Sequence, residues 1–261
     1  ALSSAASDVY KRQMLYITGD THGCIRKWKE QIHPVLKAED TIIVAGDFGV
    51  GGWEDEEDVS VTEEQFYDWI SKQPYSVLFV DGNHENFDKL YAYPVEMWMG
   101  GNVHKLRPNL IHLMRGEVYE IDGKKIFTFG GGYSIDKAWR VEGRSWWPQE
   151  MPSEKEYENA RRNLEKNNYS VDYIITHTTC AQTVHYMAAR TYMRIKTNIT
   201  EEMPLTAFLE TTRINTRYRG WYFGHFHMDM TLWKNQFVVF NCMRELESGK
   251  IVREWCTYEG Y

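Results

Sequence analysis

Cysteine is scarce and unpatterned. The chain has four, Cys24, Cys180, Cys242 and Cys256, and no two form a Cys-x-x-Cys pair. That excludes a zinc ribbon and a disulfide framework. Cys24 and Cys180 lie near the motif residues described below, but small buried side chains in a reducing compartment explain them better than a catalytic thiol. No apolar run is long enough to span a bilayer, so no membrane partner is expected. Positive charge is not in excess: 37 acidic against 30 basic residues give a net charge of −7, which argues against broad, unspecific binding of a nucleic-acid backbone. There is no internal repeat, low-complexity linker or clear domain boundary. Residues 1–13 are small and polar, with no apolar stretch of the kind a signal peptide needs. They are expected to be a disordered extension, native or added, ahead of one domain over residues 14–261. The expected location is the cytoplasm.

What is present suits one large α/β domain. Met14 to Thr18, Thr41 to Ala45 and Tyr75 to Val80 are short, largely β-branched or aromatic runs that predict strands. Between them, Cys24 to Leu36 predicts a helix interrupted near Pro34. Thr62 with Gln65 predicts a capping box on a helix reaching about Lys72, and the acidic run Glu54 to Asp58 predicts a solvated loop. Further strands are expected at Leu110 to Leu113, Glu117 to Ile121 and Lys124 to Phe129, the last two joined by an Asp122-Gly123 turn. A triple glycine, Gly130 to Gly132, then leads into the Arg- and Trp-rich stretch Tyr133 to Pro148. Ser153 with Glu156 caps a predicted helix to Asn167. Val171 to Ile175 and Trp221 to Phe223 predict strands, Leu205 to Tyr218 a helix, and Thr231 to Phe240 a hairpin turning near Asn235.

Five of these strands end in the same way. Gly19-Asp20-Thr21-His22-Gly23, Gly46-Asp47-Phe48-Gly49, Gly82-Asn83-His84-Glu85, Thr176-His177 and Gly224-His225-Phe226-His227 each follow a short apolar run. In open α/β sheets, ligands bind outside the carboxyl ends of strands. The repeated β-loop-α units therefore bring Asp20, His22, Asp47, Asn83 and His84 to one edge of one sheet. A lone Asp20 is readily a turn residue, a lone Asn83 tolerates left-handed backbone, and a lone histidine packs in a core. Five strand-end sets without a thiolate instead suggest two hard or borderline divalent ions. Such ions sit about 3.5–4 Å apart, acidify bound water and neutralise phosphoryl oxygens. A carboxylate suits the bridge because it has two oxygens. His33, His104 and His112 have no motif context and are expected to pack or face solvent, and His185 is assigned no role.

This ordered set resembles the calcineurin-like metallophosphoesterase superfamily from Gly19 to His227. The resemblance implies a four-layer α/β/β/α sandwich of two mixed β-sheets flanked by helices. It implies that Asp20, His22 and His227 hold one metal, that Asp47 bridges, and that Asn83, His177 and His225 hold the second. It assigns His84 to phosphate contact and to protonation of the leaving oxygen, a role suited to imidazole. Protein serine/threonine phosphatases extend the second motif as Gly-Asp-x-x-Asp-Arg-Gly. Here it continues as Phe48-Gly49-Val50-Gly51-Gly52, without that aspartate and arginine, so the resemblance does not extend to that branch. Arg140 and Arg144 are the candidates for holding phosphate in their place, with Trp139, Trp146 and Trp147 nearby to stack on a base.

The expected activity is hydrolysis of a phosphomonoester or phosphodiester by metal-activated water, with two divalent ions drawn from Mn, Fe, Zn, Ni or Mg. A small-molecule or nucleotide phosphoester is the expected substrate. The alternatives are a nuclease of the same superfamily acting on a polynucleotide, against which the acidic balance counts, and a non-catalytic metal-binding scaffold module.

Overall fold

Short apolar runs become strands in two mixed sheets that pack face to face. The computed structural model describes residues 13–51, 61–192 and 195–255; the acidic run Glu54 to Asp58, Cys256 and residues 1–12 lie outside them. In the first sheet β1 (Leu15–Thr18), β2 (Thr41–Ala45) and β3 (Ser76–Val80) run parallel, with Ile17 opposite Ile43 and Ile43 opposite Leu78. The sheet continues through β6 (Leu110–Leu113) to β5 (Gly101–Arg107) and the edge strand β4 (Val95–Trp98). On its other side, β13 (Cys242–Glu245) returns antiparallel beside β1 and carries β14 (Ile251–Glu254). The second sheet has the order β11 (Met230–Leu232), β12 (Gln236–Val238), β10 (Gly220–Phe223), β9 (Tyr173–Thr176), β8 (Lys124–Phe129), β7 (Val118–Ile121).

Strand side chains alternate between faces, and this alternation divides the interior into three cores. Leu15, Ile17, Ile43 and Leu78 face the second sheet and meet Ile126, Ile175 and Tyr222. Tyr16, Ile42, Val44 and Phe79 face outward and are covered by Trp28 and by Phe66, Tyr67 and Ile70 of α1 (Glu63–Ser71). On the far side Phe127, Ile174 and Trp221 pack against α3 (Glu154–Lys166), α4 (Ala181–Arg190) and α5 (Met203–Asn215). Helix, sheet, sheet and helix make the four expected layers. A further single turn, α2 (Phe87–Leu90), follows the third motif.

Both predicted capping boxes form. Thr62 Oγ1 accepts from Gln65 N at 3.3 Å while Gln65 Oε1 accepts from Thr62 N at 2.9 Å, and Ser153 with Glu156 repeats the arrangement at α3. Such a cap stabilises a helix by about 1 kcal/mol. The Asp122-Gly123 turn closes the β7–β8 hairpin with both residues at positive φ, 48° and 68°, as a type I′ turn requires. Asn235, at φ 58°, likewise turns the antiparallel β11–β12 pair.

Some expectations shift. The helix before Pro34 is wound with π geometry over Lys27–Ile32. Helix α5 begins at Met203, because Pro204 suits a first helical turn, and ends at Asn215. His104 and His112 do pack: they are buried, face each other through their Nδ1 atoms at 3.0 Å, and His112 Nε2 reaches Asp81 Oδ1 at 3.0 Å. Arg115 donates Nε–H to Asp81 Oδ2 at 2.8 Å and reaches the Gln149 carbonyl at 2.8 Å. Burial works against the Asp81 charge, but Arg115 and His112 outweigh it and hold the carboxyl well below the ordinary range. Breaking such a buried pair costs about 3–5 kcal/mol. This pair ties the end of β3, where the third motif begins, to the loop before α3.

Candidate metal centre

The two sheets lie with the ends of β1, β2, β3, β9 and β10 side by side, and their following loops converge. Asp20 Oδ2 is 3.2 Å from His227 Nε2, which is 3.2 Å from His22 Nε2. One donor atom from each of these three residues lies within 4.8 Å of the other two, a separation that a single ion can close. Beside them, Asn83 Oδ1 is 3.0 Å from His177 Nε2 and 2.9 Å from His225 Nδ1, and the two nitrogens are 3.2 Å apart. Asp47 Oδ2 lies between the groups, 4.0 Å from His22 Nε2 and 3.3 Å from His177 Nε2.

The two oxygens of Asp47 do not serve one group each. Oδ1 accepts the His84 backbone N–H at 2.7 Å, leaving Oδ2 to face both groups. Strand-end placement explains the convergence, and the backbone conformation explains its precision. His22, Asp47, His225 and His227 have φ of 47°, 50°, 67° and 47°. Left-handed backbone at four non-glycine residues persists only where surrounding structure over-determines it, a pattern typical of functional sites. The neighbouring glycines answer to the same crowding. A Cβ on Gly82 would strike the Asp47 carboxylate, and one on Gly224 the Asp20 carboxylate.

Three supports were not foreseen. Glu85, fully buried, accepts the backbone N–H groups of Phe48 at 2.8 Å, Gly49 at 3.1 Å and Val50 at 2.6 Å, fixing the loop behind Asp47. Lys27 Nζ donates to the carbonyls of Asp20 at 2.9 Å and Phe240 at 3.0 Å, and Phe240 stacks on His227 with ring centres 4.5 Å apart. Burial lowers this ammonium to about 8, and the Asp20 carboxylate resists that shift. Asn83 Nδ2–H donates to the buried Ser134 Oγ at 3.1 Å. The first two follow motif residues closely enough to have been suspected; a serine inside a glycine–aromatic stretch carries no sequence signal.

The charge pattern suits cations. Burial opposes ionisation of Asp20 and Asp47, but neighbouring histidines outweigh it and hold both carboxyls low. Burial drives His22 down to about 4 and His225 down to about 3, leaving them neutral with a lone pair to donate. His177 and His227 go the other way: burial opposes their charge, but Asp47 lifts His177 to about 10 and Asp20 raises His227. His177 Nδ1 faces the Ala45 carbonyl at 3.0 Å, which turns Nε2 toward Asp47 and Asn83. Carboxylate, amide oxygen and imidazole without thiolate fit hard or borderline divalent ions. Asp20, His22 and His227 would hold one, Asn83, His177 and His225 the other, with Asp47 between.

A cleft of about 340 Å³ opens over these groups, lined also by Arg140, Tyr133, Ile195 and Phe226. His84 sits at its floor, edge-on to His22 with ring centres 5.2 Å apart. Two Arg140 nitrogens lie 3.1 Å from its Nδ1 and Nε2, and Asp136 holds the Arg140 guanidinium at 2.8 Å. Burial first, then Arg140, lowers the His84 pKa against the pull of Asp47. Arg144 is exposed and does not line the cleft. Trp139 is 87 % exposed, Trp147 is buried and donates to Asp88 at 2.9 Å, and Trp146 lies under Lys137. His185 is exposed and lines a small neighbouring cavity, and His33 pairs with the Tyr75 hydroxyl at 3.1 Å. Cys180 and Cys242 are buried, and Cys24, Cys180 and Cys242 are free thiols. Among the described residues no helix is long and apolar enough to cross a membrane.

Glu150 provides a check on the electrostatics beside the cleft. Its side chain is buried, and burial raises its pKa to about 7 from an ordinary value of 4.5, against the Trp147 backbone N–H that it accepts at 3.4 Å. The folded pKa exceeds the unfolded one. Its stability contribution is therefore full below the unfolded value and is lost as pH rises through the folded one. Glu150→Gln cannot ionise and should stabilise the protein at pH 8 by on the order of 2–3 kcal/mol relative to its effect at pH 4.5. Thermal denaturation at the two pH values checks this; an equal shift at both would contradict it.

No curated protein matches the chain in a sequence comparison. A family model described as calcineurin-like phosphoesterase matches residues 14–239, well over half the chain and every residue of both donor groups. A metal-competent site at the meeting edge of two mixed sheets is what membership would require, and the chain belongs to the calcineurin-like phosphoesterase family.

Proposed function

We propose that this chain is a dinuclear metal-dependent phosphoesterase, acting on a phosphomonoester or phosphodiester of a small molecule or nucleotide. The observation that carries this reading is Asp47 Oδ2, which faces two separate donor groups at once. Family membership supports the reaction class. When bound, the two ions supply Lewis acidity to water and to phosphoryl oxygens. The side chains do the rest. His84 and Arg140 face the cleft together and contact the non-reacting phosphate oxygens, with Arg140 braced by Asp136. Negative charge on that phosphate offsets the Arg140 cation, one of the influences that lower the His84 pKa, and so favours protonation of the imidazole. His84, protonated from solvent once the phosphate is bound, then delivers that proton to the leaving oxygen. Arg144 contacts substrate only if the ester group extends beyond the cleft. Tyr133, Ile195 and Phe226 give the ester group an apolar wall.

The metals are drawn from Mn, Fe, Zn, Ni and Mg, since the donors are compatible with each. Residues 14–261 act as one domain, and three free thiols suit a cytoplasmic setting. The test is turnover of nitrophenyl phosphate, its diester and single-stranded DNA by metal-reconstituted protein. The expected result is hydrolysis of a small ester that is abolished by chelation and restored by Mn²⁺. Hydrolysis of DNA alone would favour the nuclease reading. Two bound ions with no turnover of any ester would favour a scaffold.

A further inference from the structure

The usefulness of an asparagine as a ligand depends on which way its amide is turned. Its oxygen binds a cation; its NH₂, rotated into the same place, repels one. Asn83 presents Oδ1 to His177 Nε2 and His225 Nδ1 and directs Nδ2 away, to Ser134 Oγ at 3.1 Å. Ser134 is 1 % exposed, so water does not compete for that bond. Its position is built into the chain path. Gly131 N–H donates to the Asp81 carbonyl at 3.0 Å and Gly132 N–H to the Glu150 carbonyl at 3.1 Å, which fixes the exit of β8 against the end of β3. Gly132 passes so close that an added Cβ would lie 3.1 Å from His177, 3.2 Å from Asn83 Oδ1 and 3.4 Å from His225.

We propose that Ser134 is a positioning residue that fixes the Asn83 amide with Oδ1 toward the second cation position, so that affinity at this position alone depends on it. This rests on the two-metal reading. Partners of this kind around metal ligands are worth about 10–100-fold in metal affinity.

The test is calorimetric titration of metal-free protein with Mn²⁺. Wild type is expected to bind two ions. Ser134→Ala should weaken one site by about tenfold or more and leave the other within about twofold, because Asp20, His22 and His227 do not touch Ser134. An Asn83→Asp background separates positioning from general damage: a carboxylate has two like oxygens and needs no orientation, so Ser134→Ala should add no further loss there. Equal weakening of both sites, no weakening of either, or the same loss in the Asn83→Asp background would each overturn the proposal. Wild-type protein that binds fewer than two ions would instead overturn the two-metal reading.

Discussion

Asp47→Asn should strip both ions from the protein and lower turnover about a thousandfold or more. The substitution is chosen for what it preserves. Asparagine keeps an oxygen at the Oδ1 position, so the His84 N–H bond at 2.7 Å survives and the loop keeps its path. It replaces Oδ2, the atom facing both donor groups, with an NH₂ that repels cations at each. Loss of the charge also removes the main influence that lifts His177 to about 10. Metal content by elemental analysis, beside hydrolysis of nitrophenyl phosphate, checks the outcome. Retention of one full equivalent would mean that Asp47 serves one group only.

His84→Ala should separate chemistry from metal binding. Turnover is expected to fall by about 10²–10⁴-fold, the usual worth of a positioned proton donor, with both ions retained. The structure gives the reason. What holds the Asp47 carboxylate is the backbone N–H of residue 84, which alanine keeps. The imidazole itself points into the cleft beside Arg140 and is absent from both donor groups. Loss of both ions from this variant would contradict the assignment, and unchanged turnover would remove His84 from the reaction.

Much of this site was legible because strand-end chemistry is local. A β-branched run such as Thr41 to Ala45 stops where Gly46 permits a turn, and the next residue is left at the sheet edge. The pairing of His177 and His225 with Asn83 needed the second sheet, and the family resemblance supplied it. What stayed hidden has physical causes. β4 is an edge strand whose Val95, Glu96 and Met97 are all exposed, so no alternation marks it. β13, Cys-Met-Arg-Glu, is recruited by pairing with β1 rather than by its own pattern. Helix α4 buries only Thr183, Val184 and Met187, too thin a stripe to read against its polar residues. Arg140 and Arg144 looked equivalent in sequence. A 3₁₀ turn at Lys137–Trp139 and the brace from Asp136 bring the first to His84 and leave the second in solvent. The single-oxygen role of Asp47 depends on where one backbone N–H points, which no spacing encodes.

Whether two cations share the Asp47 carboxylate is read by anomalous diffraction from crystals grown with Mn²⁺. The expected map has two peaks about 3.5–4 Å apart, one against Asp20, His22 and His227 and one against Asn83, His177 and His225, with Asp47 Oδ2 between them. A single peak in fully loaded crystals, or two peaks of which one lies away from Asp47, would contradict such sharing.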